Sequence, residues 1–151
     1  MKPRQIRPIA ICVFRDKDRL FLMECYDPIK KETFYRPLGG AIEFGEHSRE
    51  SIVREIREEI GTEIEDLTYI GMIENLFVYD GKLGHEIVLV YEANFVDSHL
   101  YQVESVRCRD DGEEFVAMWK SIAEFRAGKA PLYPEGLLDL LDKKTVKRPN
   151  F

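Results

Sequence analysis

Three glutamates at positions 55, 58 and 59 supply the hard oxygen ligands by which Mg²⁺ is commonly held, together with substrate phosphates and water. At about 100° of rotation per residue in an α-helix, with Ile52 as origin, Ile52, Val53, Ile56 and Ile60 fall in one arc. That arc is roughly 100° wide, the width of a stripe that packs on a core. Glu55, Glu58 and Glu59 fall in a second arc of similar width, centred roughly 120° away. Like charges at i,i+3 and i,i+4 repel by a few tenths of a kcal/mol per pair, so something outside the helix has to compensate. A Glu-rich helix face is as a rule merely solvated, and the helix by itself does not call for a metal.

The segment ahead of it adds the second half of the pattern. Leu38-Gly39-Gly40-Ala41-Ile42-Glu43-Phe44-Gly45-Glu46 carries glycines that allow close backbone approach to a ligand. Gly40, Glu46, Arg54, Glu55, Ile56, Glu58, Glu59 and Gly61 then stand in one register. This register resembles the signature of the Nudix hydrolases: a Gly, five residues, a Glu, seven residues, Arg-Glu, an apolar residue, any residue, Glu-Glu, any residue, Gly and an apolar residue. Only Thr62 departs from it, standing where the family has an aliphatic side chain. With seven fixed positions each matched by chance at roughly 6%, coincidence anywhere in the chain is on the order of one in a million.

The resemblance implies an α+β fold, an α/β/α sandwich on a mixed β-sheet, with the motif as a loop, helix and loop. It places Glu55, Glu58 and Glu59 on metal, and gives Glu46 and Arg54 the work of holding the loop against the helix. The backbone carbonyl of Gly39 or Gly40 is a further candidate ligand. The implied reaction is attack by water on a phosphorus of a nucleoside diphosphate linked to another moiety X. Mg²⁺ serves as cofactor, with Mn²⁺ as the alternative. The general base is a glutamate, matching Glu55 or Glu58 on the helix or standing on a distant loop.

Outside the motif, Glu86 in His85-Glu86-Ile87 is a candidate metal ligand, ranked ahead of Glu113 and Glu114, which precede Trp119. Arg36, Gly39, Gly40 and Tyr79 are the candidate substrate-binding residues. Tyr79 stands eighteen residues past Gly61, near where dinucleoside polyphosphate hydrolases of the family often carry a tyrosine. Asn75 to Tyr79 holds no proline, unlike members that cleave ADP-ribose. Phe34, Tyr35 and Phe77 are candidates to stack on a base. The rival class is a Nudix-fold module that senses a nucleotide without turnover; such modules generally show eroded metal glutamates, whereas all three are present here.

Ile9–Phe14 and Leu20–Tyr26 are strands joined by a polar turn, and Phe34–Gly40 is an extended piece entering a loop. Ser48–Ile60 is a helix with Gly61 at its C-cap. Leu67–Tyr79 and Glu86–Phe95 form an antiparallel pair around a turn at Asp80–Gly84. Asp97–Glu113 reads as a loop, Phe115–Trp119 as a last strand, Ile122–Arg126 as a brief helix, and Pro134–Leu141 as a closing helix. The tail from about Lys143 reads as loose.

The 151 residues fit a single domain spanning the whole chain, with 44% hydrophobic and 33% charged residues. A formal charge of -6 disfavours nucleic acid polymers and anionic membranes as partners, so a small polyanionic substrate has to be met locally, by a cation. Cys12, Cys25 and Cys108 are odd in number and widely spaced, which reads as reduced thiols and a cytoplasmic location. No run approaches membrane-spanning length. A homodimer is the expected assembly if the chain self-associates.

Overall fold

The computed structural model describes residues 4–145. Its strands are β1 (Arg7–Asp16), β2 (Arg19–Asp27), β3 (Glu32–Arg36), β4 (Leu38–Ala41), β5 (Ile64–Tyr79), β6 (Lys82–Phe95), β7 (Ser105–Asp110) and β8 (Glu113–Ser121). Its helices are α1 (Ser48–Ile60), α2 (Ile122–Arg126) and α3 (Leu137–Thr145). The sheet runs β5-β6-β1-β2-β8-β7, with β3 beside β2 and β4 beside β1. It is mixed, because β1 lies parallel to β6 while its other pairings are antiparallel.

Alternation along the strands sends side chains to two cores. Ala10, Cys12 and Phe14 of β1 pack with Phe21, Phe95 and Trp119 under Ile52 and Ile56 of α1. Ile9, Ile11 and Val13 pack with Leu20, Leu22, Val88 and Val90 against Ile122 and Phe125 of α2 and Leu137 and Leu141 of α3. The result is a helix, sheet, helix layering, the expected α+β arrangement. Ile52 and Ile56 are fully buried, each stabilising the fold by about 1.5–3 kcal/mol.

Strands β1 and β2 pair only next to their hairpin, at Arg15 with Leu20 and Asp16 with Arg19. Beyond it they part: β1 goes with β4 and β6, and β2 goes with β3 and β8. Pro37, between β3 and β4, carries the chain from one branch to the other. The divergence leaves a cleft of about 850 Å³ lined by both branches.

Several elements differ from the sequence reading. Residues 97–113 are not a loop: Ser98–Tyr101 form a 3-10 turn, and Ser105–Asp110 form β7, paired with β8. The Trp119 indole donates to the Leu100 carbonyl at 2.9 Å, which pins that turn. The extended piece at residues 34–40 is two strands, and the Asp80–Gly84 turn shrinks to Asp80 and Gly81, both left-handed as a two-residue hairpin turn requires. The closing helix begins at Leu137 rather than Pro134 and runs through 143–145, taken above as tail; residues 146–151 lie outside the described residues.

Candidate active site

The two glycines at the end of β4 are fixed by what lies against them. At Gly39 (φ 147°) an added Cβ would lie 2.1 Å from the Ala10 carbonyl oxygen, because β4 is pressed onto β1 there. At Gly40 an added Cβ would meet the Glu55 carboxylate, with Oε1 at 2.5 Å. The missing side chain of Gly40 is therefore the space in which the Glu55 carboxylate lies against the backbone.

Helix α1 ends at Gly61, whose left-handed backbone (φ 66°) directs its N–H to the Arg57 carbonyl. Its buried residues are Ser51, Ile52, Glu55, Ile56 and Glu59, while Val53 and Ile60 are only half-buried. The core-facing sector is thus rotated toward the glutamates relative to the stripe drawn from the apolar residues alone. It is the approach of β4, β1 and β7 to the helix that sets it.

Arg54 organises the loop and the helix around itself. Its Nε donates to Glu46 Oε2 at 2.8 Å and its Nη2 to Glu46 Oε1 at 3.0 Å, a bidentate pair. Nη2 also donates to the Ala41 carbonyl at 3.2 Å, and Nη1 donates to Glu55 Oε1 at 3.0 Å and Glu58 Oε2 at 3.3 Å. The Arg54 hydrogen bonds, joined by one from the Glu43 N–H, hold the Glu46 carboxyl down at about 2.

Glu59 has the opposite environment. It is 4% exposed, and neither carboxylate oxygen has a hydrogen-bond partner among the described residues. Desolvation first, then the neighbouring Glu55 carboxyl and Asp110, push its pKa up to about 9, against a smaller lowering by Arg36. A buried carboxyl with no donor is a rarity in folded proteins and points to a missing partner. The donor set is all oxygen, which suits Mg²⁺ or Mn²⁺.

The residues singled out in the sequence are thus distributed as follows. Glu55 lies against Gly40, with Glu59 beside it. Glu58 is turned to Arg54 with 59% of its side chain exposed, and among the described residues no three acidic, histidine or cysteine side chains converge at metal-ligand spacing. Glu86 is not beside the Glu55–Glu59 pair: it shares the face of Val88, opposite α1, accepts from Asn75 Nδ2 at 3.4 Å and lies 3.9 Å from Arg7. Glu113 and Glu114 line the cleft, and Glu114 meets Arg109 at 3.3 Å. Arg36 and Tyr79 also line it.

Of the aromatic candidates, Phe34 and Phe77 face the cleft, whereas Tyr35 is core, 7% exposed and edge-on to Phe125 at 5.7 Å. The cleft also holds side chains that the sequence does not point to, Asp110 and Tyr133 among them. Asp110, whose charge reaches Glu59, was hidden in the supposed loop, although Val106 and Cys108 alternate with charged residues ahead of the Asp111-Gly112 turn. Tyr133, edge-on to Phe34 at 5.3 Å, comes from a segment with no local signal.

A glycine-cushioned carboxylate pair under an arginine-braced loop, beside a cleft between two sheet branches, can be set against known proteins. The NUDIX domain model matches residues 4–141. This chain belongs to the NUDIX domain family. The solved structures agree on the fold. A NUDIX hydrolase from Nitrosomonas europaea aligns with a TM-score of 0.64 at 17% identity, covering 93% of this chain and 88% of that one. A MutT NUDIX hydrolase from Burkholderia pseudomallei aligns at 0.65 and 20% identity, covering 94% of this chain and all of that one, at 100%. Among curated proteins, the NAD-capped RNA hydrolase NudC of Pseudomonas aeruginosa is 33% identical over 70 residues. That stretch is 46% of this chain and 23% of the relative's length. The Nudix resemblance read from Gly40 to Thr62 and the α+β sandwich it implied both hold. Among the described residues no helix is long and apolar enough to cross a membrane.

Proposed function

We propose that this Nudix-family chain is a divalent-metal-dependent hydrolase that cleaves the pyrophosphate linkage of a nucleoside diphosphate joined to another moiety X. The observation that carries the reading is the Glu59 carboxyl, buried without a donor one helical turn from Glu55. At neutral pH Glu59 stays a neutral acid beside the Arg54-paired Glu55, and a bound cation would let both carboxyls ionise by offsetting the desolvation and the repulsion. Glu55 and Glu59 with the Gly40 carbonyl would hold it, and Glu58 would join on leaving Arg54.

When bound, the divalent cation supplies neutralisation of the diphosphate and a lowered pKa for the attacking water. The protein's own groups do the rest. Arg36, at the cleft and within electrostatic reach of Glu59, binds the diphosphate. Arg54 keeps Glu46 and the Glu43 backbone on the helix, so the loop stays closed over the Glu55 side chain. Glu58, the most exposed of the three motif glutamates, takes the proton of the attacking water in this reading. X occupies the cleft between Phe34, Phe77 and Tyr79. Likeness to an NAD-capped RNA hydrolase over 70 residues supports a nucleotide-like substrate. The three free thiols suit the cytoplasm, and a homodimer, to be read by light scattering, belongs to the same proposal.

The test is a screen of nucleoside diphosphate derivatives with Mg²⁺ or Mn²⁺, reading phosphate released after coupling to a phosphatase. Turnover of at least one compound that stops on chelation supports the reading. Tight binding of a compound with no turnover of any would favour a nucleotide sensor instead.

A further inference from the structure

The two sheet branches part at the β1–β2 hairpin and meet again at the far end of the cleft, through Asp27. This residue ends β2 and is 2% exposed. Its Oδ1 accepts the N–H groups of Ile29 at 2.9 Å and Lys30 at 3.1 Å, closing the turn into β3. Its Oδ2 reaches across the cleft and accepts the N–H of Asp80, at the tip of the β5–β6 hairpin, at 3.3 Å. Beside it the Tyr79 hydroxyl donates to the Tyr26 carbonyl at 3.3 Å, and the Tyr79 ring is edge-on to Phe34 at 5.9 Å.

The tip depends on these contacts because the sheet does not support it. Strand β6 pairs with β1 only from Glu86 to Ala93, so Lys82–His85 and their partners Leu76–Tyr79 overhang the sheet. Leu76, Val78 and Leu83 on the overhang are exposed, so little apolar burial fixes it. Among the described residues, the side-chain hydrogen bonds from the tip to the opposite branch are the two to Asp27 and Tyr26. Both are long for hydrogen bonds of their kind, and each is of modest net strength.

We propose that Asp27 is a latch that holds the hairpin tip over the end of the cleft and so sets the length of the group X that the cleft admits. The inference rests on the reading that X occupies this cleft. Asp27 is a positioning residue: it touches the two turns, and the tip it holds bounds the substrate. With the latch made, the cleft is a half-open space of about 850 Å³, in the size range of small-molecule sites, bounded at this end by the tip. With the latch broken the end is open, and a longer group can run out past Phe34 and Tyr79.

The substitution Asp27→Asn separates the two jobs of the carboxylate. An amide Oδ1 still accepts from Ile29 and Lys30, whereas Nδ2 presents hydrogens to the Asp80 N–H, donor against donor. Wild type, Asp27→Asn and Tyr79→Phe are compared with Mg²⁺ on adenosine diphosphate ribose and on diadenosine pentaphosphate. The preference for the longer compound over the shorter is read twice, as kcat/KM and as Kd by calorimetry, together with hydrogen exchange at the Asp80 amide. Asp27→Asn is expected to speed that exchange and to raise the relative preference for the longer compound about tenfold, through KM and Kd rather than kcat. Tyr79→Phe is expected to move it the same way by less. A faster Asp80 amide with an unchanged preference overturns the latch, as does an unchanged amide. Loss of turnover with the shift in relative Kd intact counts against the hydrolase reading alone, and a chain that binds neither compound overturns both.

Discussion

Glu55 and Glu59 stand one helical turn apart on the buried side of α1, and their surroundings are opposite: Arg54 donates to Glu55, while Glu59 has no donor among the described residues. The asymmetry leaves Glu59 as the member of the pair whose charge no hydrogen bond among the described residues offsets. In metal-free protein its raised pKa means that it enters the fold as a neutral acid.

The pH dependence of stability follows from that. A carboxyl whose pKa is raised by folding favours the folded state fully below its ordinary value of 4.5, and this contribution is lost as pH rises toward about 9. Glu46 behaves in the reverse sense: its contribution is present above 4.5 and is lost as pH falls toward about 2. Comparing chemical denaturation of wild type and Glu59→Gln without metal isolates the first group. The stability advantage of Glu59→Gln should widen steadily from pH 5 to pH 9, and a difference independent of pH would show that Glu59 is not a buried acid.

Gly39 and Gly40 should fail differently. Alanine at Gly39 drives its Cβ into the backbone of Ala10 and Ile11, which cannot yield. A destabilisation of about 3 kcal/mol or more is expected, at the upper end of single substitutions. Alanine at Gly40 meets only the end of the Glu55 side chain, which can swing away. Gly40→Ala should therefore stay within about 1 kcal/mol of wild type while losing on the order of a hundredfold in kcat. Thermal unfolding and initial rates on the same two samples check both halves.

Arg54 makes five hydrogen bonds to Glu46, Glu55, Glu58 and the Ala41 carbonyl, with 23% of its side chain exposed. Arg54→Ala should cost about 2 kcal/mol, because it leaves partly buried carboxylates without their cation. Arg54→Lys should recover little of this, since an ammonium cannot reproduce the two-pronged contact with Glu46. Recovery by lysine of most of the lost stability would mean that charge alone, and not the fork geometry, holds the loop.

Local periodicity carried the helix and its cap, because Ile52 and Ile56 recur at helical spacing and Gly61 follows directly. It missed β7, whose few apolar residues are flanked by charges, and the true burial of Glu55 and Glu59. Which way α1 is rotated depends on where β4 and β7 approach it, and that is a tertiary fact. The same holds for the cleft. Glu24, Glu86 and Tyr133 are far apart in the chain and line one cleft only because β1 and β2 diverge past their hairpin. Glycines were the most legible feature, since Gly40 is required by the Glu55 carboxylate lying against it.

Whether Glu59 meets a divalent cation is read most directly by Mn²⁺ binding to wild type and Glu59→Gln in calorimetry at pH 8, with turnover measured on the same preparations. Wild type should bind Mn²⁺ with release of protons and hydrolyse its substrate, and Glu59→Gln, folded and more stable without metal, should bind at least tenfold more weakly and lose turnover. A Glu59→Gln protein that binds Mn²⁺ and turns over as wild type does would contradict the account.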